Sequence, residues 1–144
     1  MSNKLLVGYD GSDVSRRALD LALTQAKLTG ASLMIAHVLE WSPYSFLTQE
    51  EIEERHKRRN DELERAHTVV LNPVLDAVKE SGVAVDGVVK YGQIADVICK
   101  LAEEEGASQI YIGRHGQGSL SVRVFGSVAG KLAQTAPVAC TIVP

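Results

Sequence analysis

Short apolar runs alternate with amphipathic segments along the whole chain. The apolar runs have the length and the Val, Ile and Leu content of buried strands, and turn residues follow several of them. Buried strands that alternate with helices are typical of a parallel sheet covered on both faces. The pattern predicts one doubly wound α/β domain over residues 1–144, with strands at Leu5–Tyr9, Ala31–Leu39, Val83–Val89, Ser108–Ile112 and Val138–Val143.

The segments between these strands predict four helices. Ser12 or Asp13 can cap the first helix and Gly30 can end it, while Thr48 opens a capping box for the second. After the third strand, Tyr91 and Gly92 are predicted to turn the chain. The helices cover, in order, Val14–Thr29, a long segment from Glu50 that Pro73 is expected to kink or interrupt, Ile94–Glu105, and a segment from about Phe125 to Pro137.

The first half of the long second helix is mostly charged. Acidic residues stand four positions before basic ones, which is the favourable order on a helix surface, at Glu51/Arg55, Glu53/Lys57, Glu54/Arg58 and Asp61/Arg65. Because acids interleave with the bases, the pattern indicates a solvated helix face and not a nucleic-acid patch.

Composition and charge narrow the class of protein. The 144 residues include 15 Lys and Arg against 18 Asp and Glu, a net charge of −3, and 45% are hydrophobic. These values are ordinary for a globular domain, and they disfavour a surface for DNA, RNA or anionic lipid. No apolar stretch approaches a membrane span, and the run before Asp10 is too short for a signal peptide. We therefore expect a cytoplasmic protein with no membrane insertion, in which Cys99 and Cys140 are buried free thiols.

Two turn sequences mark the expected ligand site. In a doubly wound sheet, ligands bind beyond the carboxyl ends of the strands where the strand order reverses. If the order is 3-2-1-4-5, that point lies between strands one and four. The turns there are Asp10–Ser12 and Gly113–Gly116.

The glycines after strand four suggest phosphate chemistry. Gly113 and Gly116 remove side chains where the backbone bends tightly or meets a ligand. Gly126 and Ser127 follow near the start of the last helix, where unpaired N–H groups attract anions. The alternative is a linking loop whose glycines are only structural.

The distribution of charge favours the phosphate interpretation. Residues 106–144 contain Arg114, Arg123 and Lys131 but no acid, so this segment carries +3 and residues 1–105 carry −6. A polyphosphate suits such a segment. Asp10 faces it from strand one, where an acid fits a ribose hydroxyl or a bound Mg²⁺, or serves only as a turn acid.

Other motifs of nucleotide, metal or nucleophile chemistry are missing from the sequence. The Gly126–Leu132 segment resembles a Walker A loop, but its spacing is one residue short and no Ser or Thr follows the Lys. Strand one is not followed by G-x-G-x-x-G, and no G-x-S-x-G elbow is present. The histidines have no zinc-ligand spacing; His115 can touch a phosphate, and His37 is expected to be structural.

The spacing Gly113-x2-Gly116-x9-Gly126-Ser127 resembles the signature of the ATP-binding branch of the universal stress proteins. The resemblance covers the whole chain and implies a Rossmann-like, five-stranded parallel sheet of order 3-2-1-4-5 with helices on both faces. It also implies an ATP site in which Asp10, Gly11 and Ser12 meet the adenosine, Val38 lines the adenine pocket, and Gly113, Gly116, Gly126, Ser127 and Val128 cradle ribose and phosphates. Arg114 and His115 lie between matched glycines, and the motif assigns them no role.

The resemblance further implies a homodimer formed through the last strand, Val138–Val143. Gly8 departs from the family pattern, in which a small apolar residue is common, and is expected to loosen strand one slightly.

Three functions remain open. The first is a regulatory module that binds ATP with Mg²⁺ or Mn²⁺ and hydrolyses it slowly or not at all, because no carboxylate in the 113–127 loop can activate water. The second is a slow ATPase or autokinase, with Ser119, Ser121 or Ser127 as phosphoacceptor. The third is a nucleotide-independent protein that binds an unknown protein client, for which the apolar Trp41–Leu47 loop is the candidate surface.

Overall fold

Strands and helices alternate through the described part of the chain. The structure is a computed structural model and describes residues 3–40, 48–115 and 126–144. The strands are β1 (Lys4–Gly8), β2 (Ser32–Glu40), β3 (Val85–Gly92), β4 (Gln109–Gly113) and β5 (Ala139–Val143). The helices are α1 (Asp13–Thr29), α2 (Gln49–Ala66), α3 (Asn72–Val78), α4 (Ile94–Glu105) and α5 (Ser127–Thr135).

The strands form one parallel sheet in the order β3-β2-β1-β4-β5. This confirms the predicted fold. The strand order reverses between β1 and β4. The connections that leave the carboxyl ends of these two neighbouring strands therefore run to opposite faces of the sheet. In register, Leu6 of β1 stands between Met34 of β2 and Ile110 of β4.

Each face of the sheet has its own hydrophobic core, because successive strand residues point to opposite faces. On one face, Val7 and Ile35 pack with Leu19 of α1 and with the α2–α3 segment. On the other, Leu6 and Ile110 pack with residues of α4 and α5. Helices therefore cover both faces, as the alternating pattern predicted.

The first helix begins and ends where the sequence predicted. The Ser12 hydroxyl caps α1 by accepting a hydrogen bond from the N–H of Ser15 at 3.2 Å. Gly30 ends the helix in the left-handed conformation, with φ +74°, which favours glycine. Thr48 likewise caps α2 through the N–H of Glu51 at 3.2 Å.

Pro73 interrupts the second helical segment, as predicted, through a π-helical turn at His67–Leu71. Proline has no N–H to donate to the carbonyl four residues earlier, and it falls in the first turn of α3. The residue before it, Asn72, donates its N–H to the carbonyl of His67, five residues back, which is the hydrogen bond of a π-helix. Only the α-helical hydrogen-bond pattern is interrupted, because the turn leads directly from α2 into α3. Leu71 stays buried against the sheet.

The outer surface of α2 is polar. Glu54 and Arg58 form a 3.4 Å ion pair in which both side chains are about 70% exposed. The helix is anchored to β3 where the Arg59 guanidinium lies 5.1 Å from the ring centre of Tyr91. Among the described helices, none combines the length and the apolar character that crossing a bilayer requires.

Two local predictions differ from the structure. Tyr91 and Gly92 do not turn the chain, because they pair with Leu39 and Glu40 and extend β3. Gly8 does not loosen β1 but makes room for close packing: a Cβ there would lie 2.5 Å from Cδ1 of Ile112.

Both cysteines are free, as expected, but they are half-buried and not fully buried. Cys99 lies on α4 and Cys140 on β5, and both pack against the same core. Burial, with a smaller contribution from Cys99, raises the pKa of the Cys140 thiol. This shift favours the protonated, unreactive form.

We predict that Ile110→Ala lowers the free energy of unfolding by about 2–5 kcal/mol, because it leaves a cavity at a fully buried site. The matched control is Ile52→Ala, at a position that is 39% exposed on α2, where we expect a change of about 0.5 kcal/mol or less. Urea unfolding measures both. Equal losses in the two variants would contradict this placement of the core.

Candidate functional site

A cleft of about 390 Å³ opens at the carboxyl ends of β1, β2 and β4. It lies where the strand order reverses, as the fold predicts. Most of the residues expected to form the site line it: Asp10, Val38, Gly113, Arg114, His115, Gly126, Ser127 and Val128.

Two of the expected site residues, Gly11 and Ser12, do not line this cleft, and a third lies outside the described residues. Gly11 faces a separate cavity beside the π-helical turn, where its neighbours include Val70. Ser12 is the N-cap of α1. Gly116 lies outside the described residues, as do Ser119, Ser121, Arg123 and the Trp41–Leu47 loop.

The Asp10 carboxylate is held by the turn that follows β1. Its Oδ1 accepts hydrogen bonds from the N–H of Ser12, at 2.9 Å, and from the Ser12 hydroxyl. The buried Ser15 hydroxyl accepts from the N–H of Asp10 at 3.3 Å and donates to the Ser12 carbonyl at 2.9 Å. Asp10 is thus a turn acid and also lines the cleft, so these two interpretations of the residue are compatible.

The start of α5 presents main-chain donors to the cleft. Gly126 is the N-cap and supplies no side chain, and its own N–H donates to the Arg114 carbonyl at 2.8 Å. Ser127, Val128 and Ala129 open the helix and line the cleft, and their N–H groups have no acceptor within the helix. These donors and the positive end of the helix dipole favour an anion at this wall.

Arg114 adds a cation at the same wall. Its N–H donates to the Val143 carbonyl at 2.7 Å, which fixes the residue at the end of the sheet. Its side-chain Nε is buried and has no hydrogen-bond partner among the described residues. A buried donor without a partner is costly, so an acceptor in the cleft would stabilise this guanidinium.

The two described motif glycines are required by the protein's own packing. A Cβ on Gly113 would lie 2.5 Å from Cγ1 of Val14, at the start of α1. A Cβ on Gly126 would lie 3.1 Å from Cα of His115 and 3.3 Å from the carbonyl oxygen of Arg114. A larger residue at either position meets protein atoms, so its effect would not by itself reveal a ligand.

The opposite wall of the cleft is apolar and ends in an acid that the sequence motifs did not indicate. Val38 of β2 and Ile94 and Ile98 of α4 form this wall, and Glu40 stands at the end of β2. The two-residue periodicity of a strand could have indicated Glu40 as a site residue, because it places Glu40 on the same face of β2 as Ala36 and Val38.

The described residues that line the cleft carry less positive charge than the segment 106–144. The Lys131 ammonium lies 3.1 Å from Oδ1 of Asp96 and also donates to Gln93. Asp10 and Glu40 bring carboxylates to the walls that face Arg114. The cleft therefore has an anion-favouring wall and acidic positions across from it.

The histidines and the acids do not assemble a metal centre in the described parts of the chain, where no three potential ligands cluster. His37 is buried and its Nδ1 lies 2.7 Å from the Tyr9 carbonyl oxygen, to which it donates. This contact is the structural role expected for His37. It also positions the end of β1, next to Asp10.

Comparison with known proteins identifies the family. The model of the Universal stress protein family matches residues 1–144. The chain belongs to the universal stress protein family. Universal stress protein YxiE of Bacillus subtilis (strain 168) is 34% identical over 153 residues, and the match covers 96% of this chain and 97% of that protein.

Solved structures of the family share the fold. Universal stress protein UspA from Lactobacillus plantarum superposes with a TM-score of 0.83 at 20% identity, covering 99% of this chain and 97% of that one. A universal stress protein from Archaeoglobus fulgidus, solved in complex with dAMP, has a TM-score of 0.66 at 20% identity and covers 100% and 98%. A universal stress protein solved in complex with cAMP has a TM-score of 0.64 at 24% identity, covering 99% of this chain and 97% of that one.

We predict that Gly113→Ala destabilises the protein by about 1–3 kcal/mol, because the new methyl group overlaps Val14. Val14→Ala removes the overlapping Cγ1 atom. The loss caused by Gly113→Ala should therefore shrink by about 1 kcal/mol when Val14→Ala is already present. Urea unfolding of the wild type, both single variants and the double variant measures this coupling, and strictly additive losses would contradict it.

Proposed function

We propose that this universal stress protein binds ATP together with Mg²⁺ and acts in the cytoplasm as a nucleotide-dependent regulatory module, with weak or no hydrolysis. The observation that carries the proposal is the wall formed by Arg114 and the start of α5. It combines main-chain donors with no acceptor in their helix and a buried Nε that lacks a partner among the described residues. Phosphate oxygens would satisfy both.

The rest of the cleft fits the rest of the nucleotide. The apolar wall of Val38, Ile94 and Ile98 offers a surface for a base, on which it would lie out of water. Asp10, held by its turn, can accept from ribose hydroxyls. Gly11 and Ser12 act through that turn, and the remaining proposed contacts come from Gly113, His115, Gly116, Gly126, Ser127 and Val128.

Structural neighbours support a nucleotide, though they differ in which one. The two family members noted above were solved with dAMP and with cAMP. Neither is a triphosphate. The preference for ATP rests on the glycine signature and on the donors at the start of α5.

Mg²⁺ fits this cleft as an ion that is coordinated mainly by the phosphates and not by protein side chains alone. Mg²⁺ commonly binds through substrate phosphates, waters and one or two carboxylates. Asp10 could supply one ligand, and no described cluster supplies three. When bound, the ion would neutralise phosphate charge beside the acidic positions of the cleft.

We prefer a regulatory role to that of an ATPase or autokinase because of where the acidic residues of the cleft lie. Asp10 follows β1 and Glu40 ends β2, so both lie across the cleft from α5. Oδ1 of Asp10 already accepts hydrogen bonds from Ser12. Neither position supports a general base that is aimed at the terminal phosphate. Turnover near the ordinary enzyme rate of about 1 s⁻¹ or faster, or phosphate transfer to Ser127, would favour the enzyme instead.

We also propose a homodimer through Val138–Val143. In the described sheet β5 pairs only with β4, so its other edge offers backbone groups for a second copy. A protein client that reads the nucleotide state is a further expectation.

The direct test is calorimetric titration with Mg²⁺ and ATP, together with nucleotide analysis of the purified, denatured protein. No binding at millimolar ATP would overturn the proposal. A sharper test is Ser127→Asp, which puts a negative charge in the first turn of α5. We expect ATP affinity to fall by about tenfold or more through repulsion, while the nucleotide-free protein is unchanged or stabilised by up to about 1 kcal/mol.

The control for Ser127→Asp is Gln134→Asp. It adds the same charge near the other end of α5, where the position is exposed and away from the cleft. Its ATP affinity should stay within about twofold of the wild type, because exposed charges more than about 10 Å apart are largely screened. Equal loss in both variants would point to net charge and not to the start of α5.

We predict that Mg²⁺ alone does not stabilise the protein, because the described residues do not cluster three ligands. Mg²⁺ with ATP should raise the melting temperature more than ATP alone. Thermal unfolding under the four conditions measures this. Stabilisation by millimolar Mg²⁺ without nucleotide would contradict the phosphate-bound ion.

A further inference from the structure

Glu40 is a cleft carboxylate that the glycine signature does not include. It is the last residue of β2, exposed to solvent, and it forms no hydrogen bond or ion pair with the described residues. Its partner in the sheet register is Gly92, which has no side chain to cover it. The carboxylate is therefore open to a molecule in the cleft.

The strand geometry puts Glu40 at the edge of the apolar wall. Ala36, Val38 and Glu40 point to the same face of β2, and the first two pack into the core beneath the cleft. Ile94 approaches the cleft from the start of α4. Arg114 and the start of α5 lie on the β4 side of the cleft, and Glu40 lies on the β2 side, with β1 between them. In the proposed binding mode Glu40 is therefore at the base end of the cleft and not at the phosphate end.

A carboxylate accepts hydrogen bonds and cannot donate them. At position 6 of a purine, an amino group therefore gains a charge-assisted hydrogen bond from such a carboxylate, whereas a carbonyl faces repulsion. A carboxylate at position 1 would have the opposite preference, because 6-oxopurines carry an N–H there and adenine does not. Adenine carries an amino group at position 6, and hypoxanthine and guanine carry a carbonyl there.

We propose that Glu40 is a specificity-determining residue, which selects 6-aminopurine nucleotides over 6-oxopurine nucleotides. The inference rests on the proposed nucleotide function and deepens it. A carboxylate that contacted ribose would instead affect all ribonucleotides alike. One that only repelled phosphates would weaken all triphosphates alike, so the ratio between two bases isolates the proposed contact.

The test is calorimetric titration of ATP and ITP, each with Mg²⁺, into the wild type, Glu40→Gln and Glu40→Ala. For the wild type we expect ATP to bind about tenfold to a hundredfold more tightly than ITP, the range for hydrogen bonds to charged groups. Glu40→Gln should bring the ratio to within about threefold, because an amide can accept from an amino group or donate to a carbonyl. Glu40→Ala should weaken ATP and leave ITP unchanged or tighter.

The matched control is Glu80→Gln. Glu80 is exposed between α3 and β3, at the opposite end of the sheet, and its removal makes the same charge change. The control should keep the wild-type ratio. A wild type that binds ITP as tightly as ATP or more tightly, or a ratio retained in both Glu40 variants, would overturn the role of Glu40 and leave nucleotide binding standing. A wild type that binds neither would overturn the proposed function and this inference together.

Discussion

The backbone of Arg114 joins three elements at the point where the cleft begins. Its N–H bonds to the end of β5 through Val143, and its carbonyl accepts from Gly126 at the start of α5. This junction closes only because Gly113 lets β4 approach Val14, and because Gly126 lies against His115 without a side chain. The direction of α5, and hence the wall of main-chain donors, depends on these contacts. The anion-favouring end of the cleft is therefore a consequence of how the sheet ends.

The motif glycines therefore have two roles that the sequence alone could not separate. The Gly113 and Gly126 spacing suggested space for phosphate, and the structure shows that protein atoms already occupy the space a side chain would take. Loss of ligand binding in a bulky Gly126 variant would thus reflect a displaced Arg114 and His115 as much as a blocked ligand. Ser127 is better suited to a test of function, because it is exposed and its side chain can change without disturbing that junction.

The sequence predicted the sheet and the helix boundaries well, because both depend on local pattern. Apolar runs of strand length and caps such as Ser12 and Gly30 act within a few residues of where they stand. It missed the continuation of β3 through Gly92, which depends on pairing with Glu40 and not on local turn preference. It also missed that Lys131, one of the three cations of the segment 106–144, pairs with Asp96, because this pairing joins segments that are far apart in the chain.

The polarity of the cleft now distinguishes among possible ligands. A simple anion would need only the start of α5 and Arg114, and the carboxylates of Asp10 and Glu40 would then only weaken its binding. A ligand that is anionic at one end and carries hydrogen-bond donors elsewhere makes use of both kinds of wall. The apolar surface formed by Val38 and Ile94 between them requires a flat or apolar group as well. A nucleotide meets all three requirements, which is why the acids support the proposed ligand.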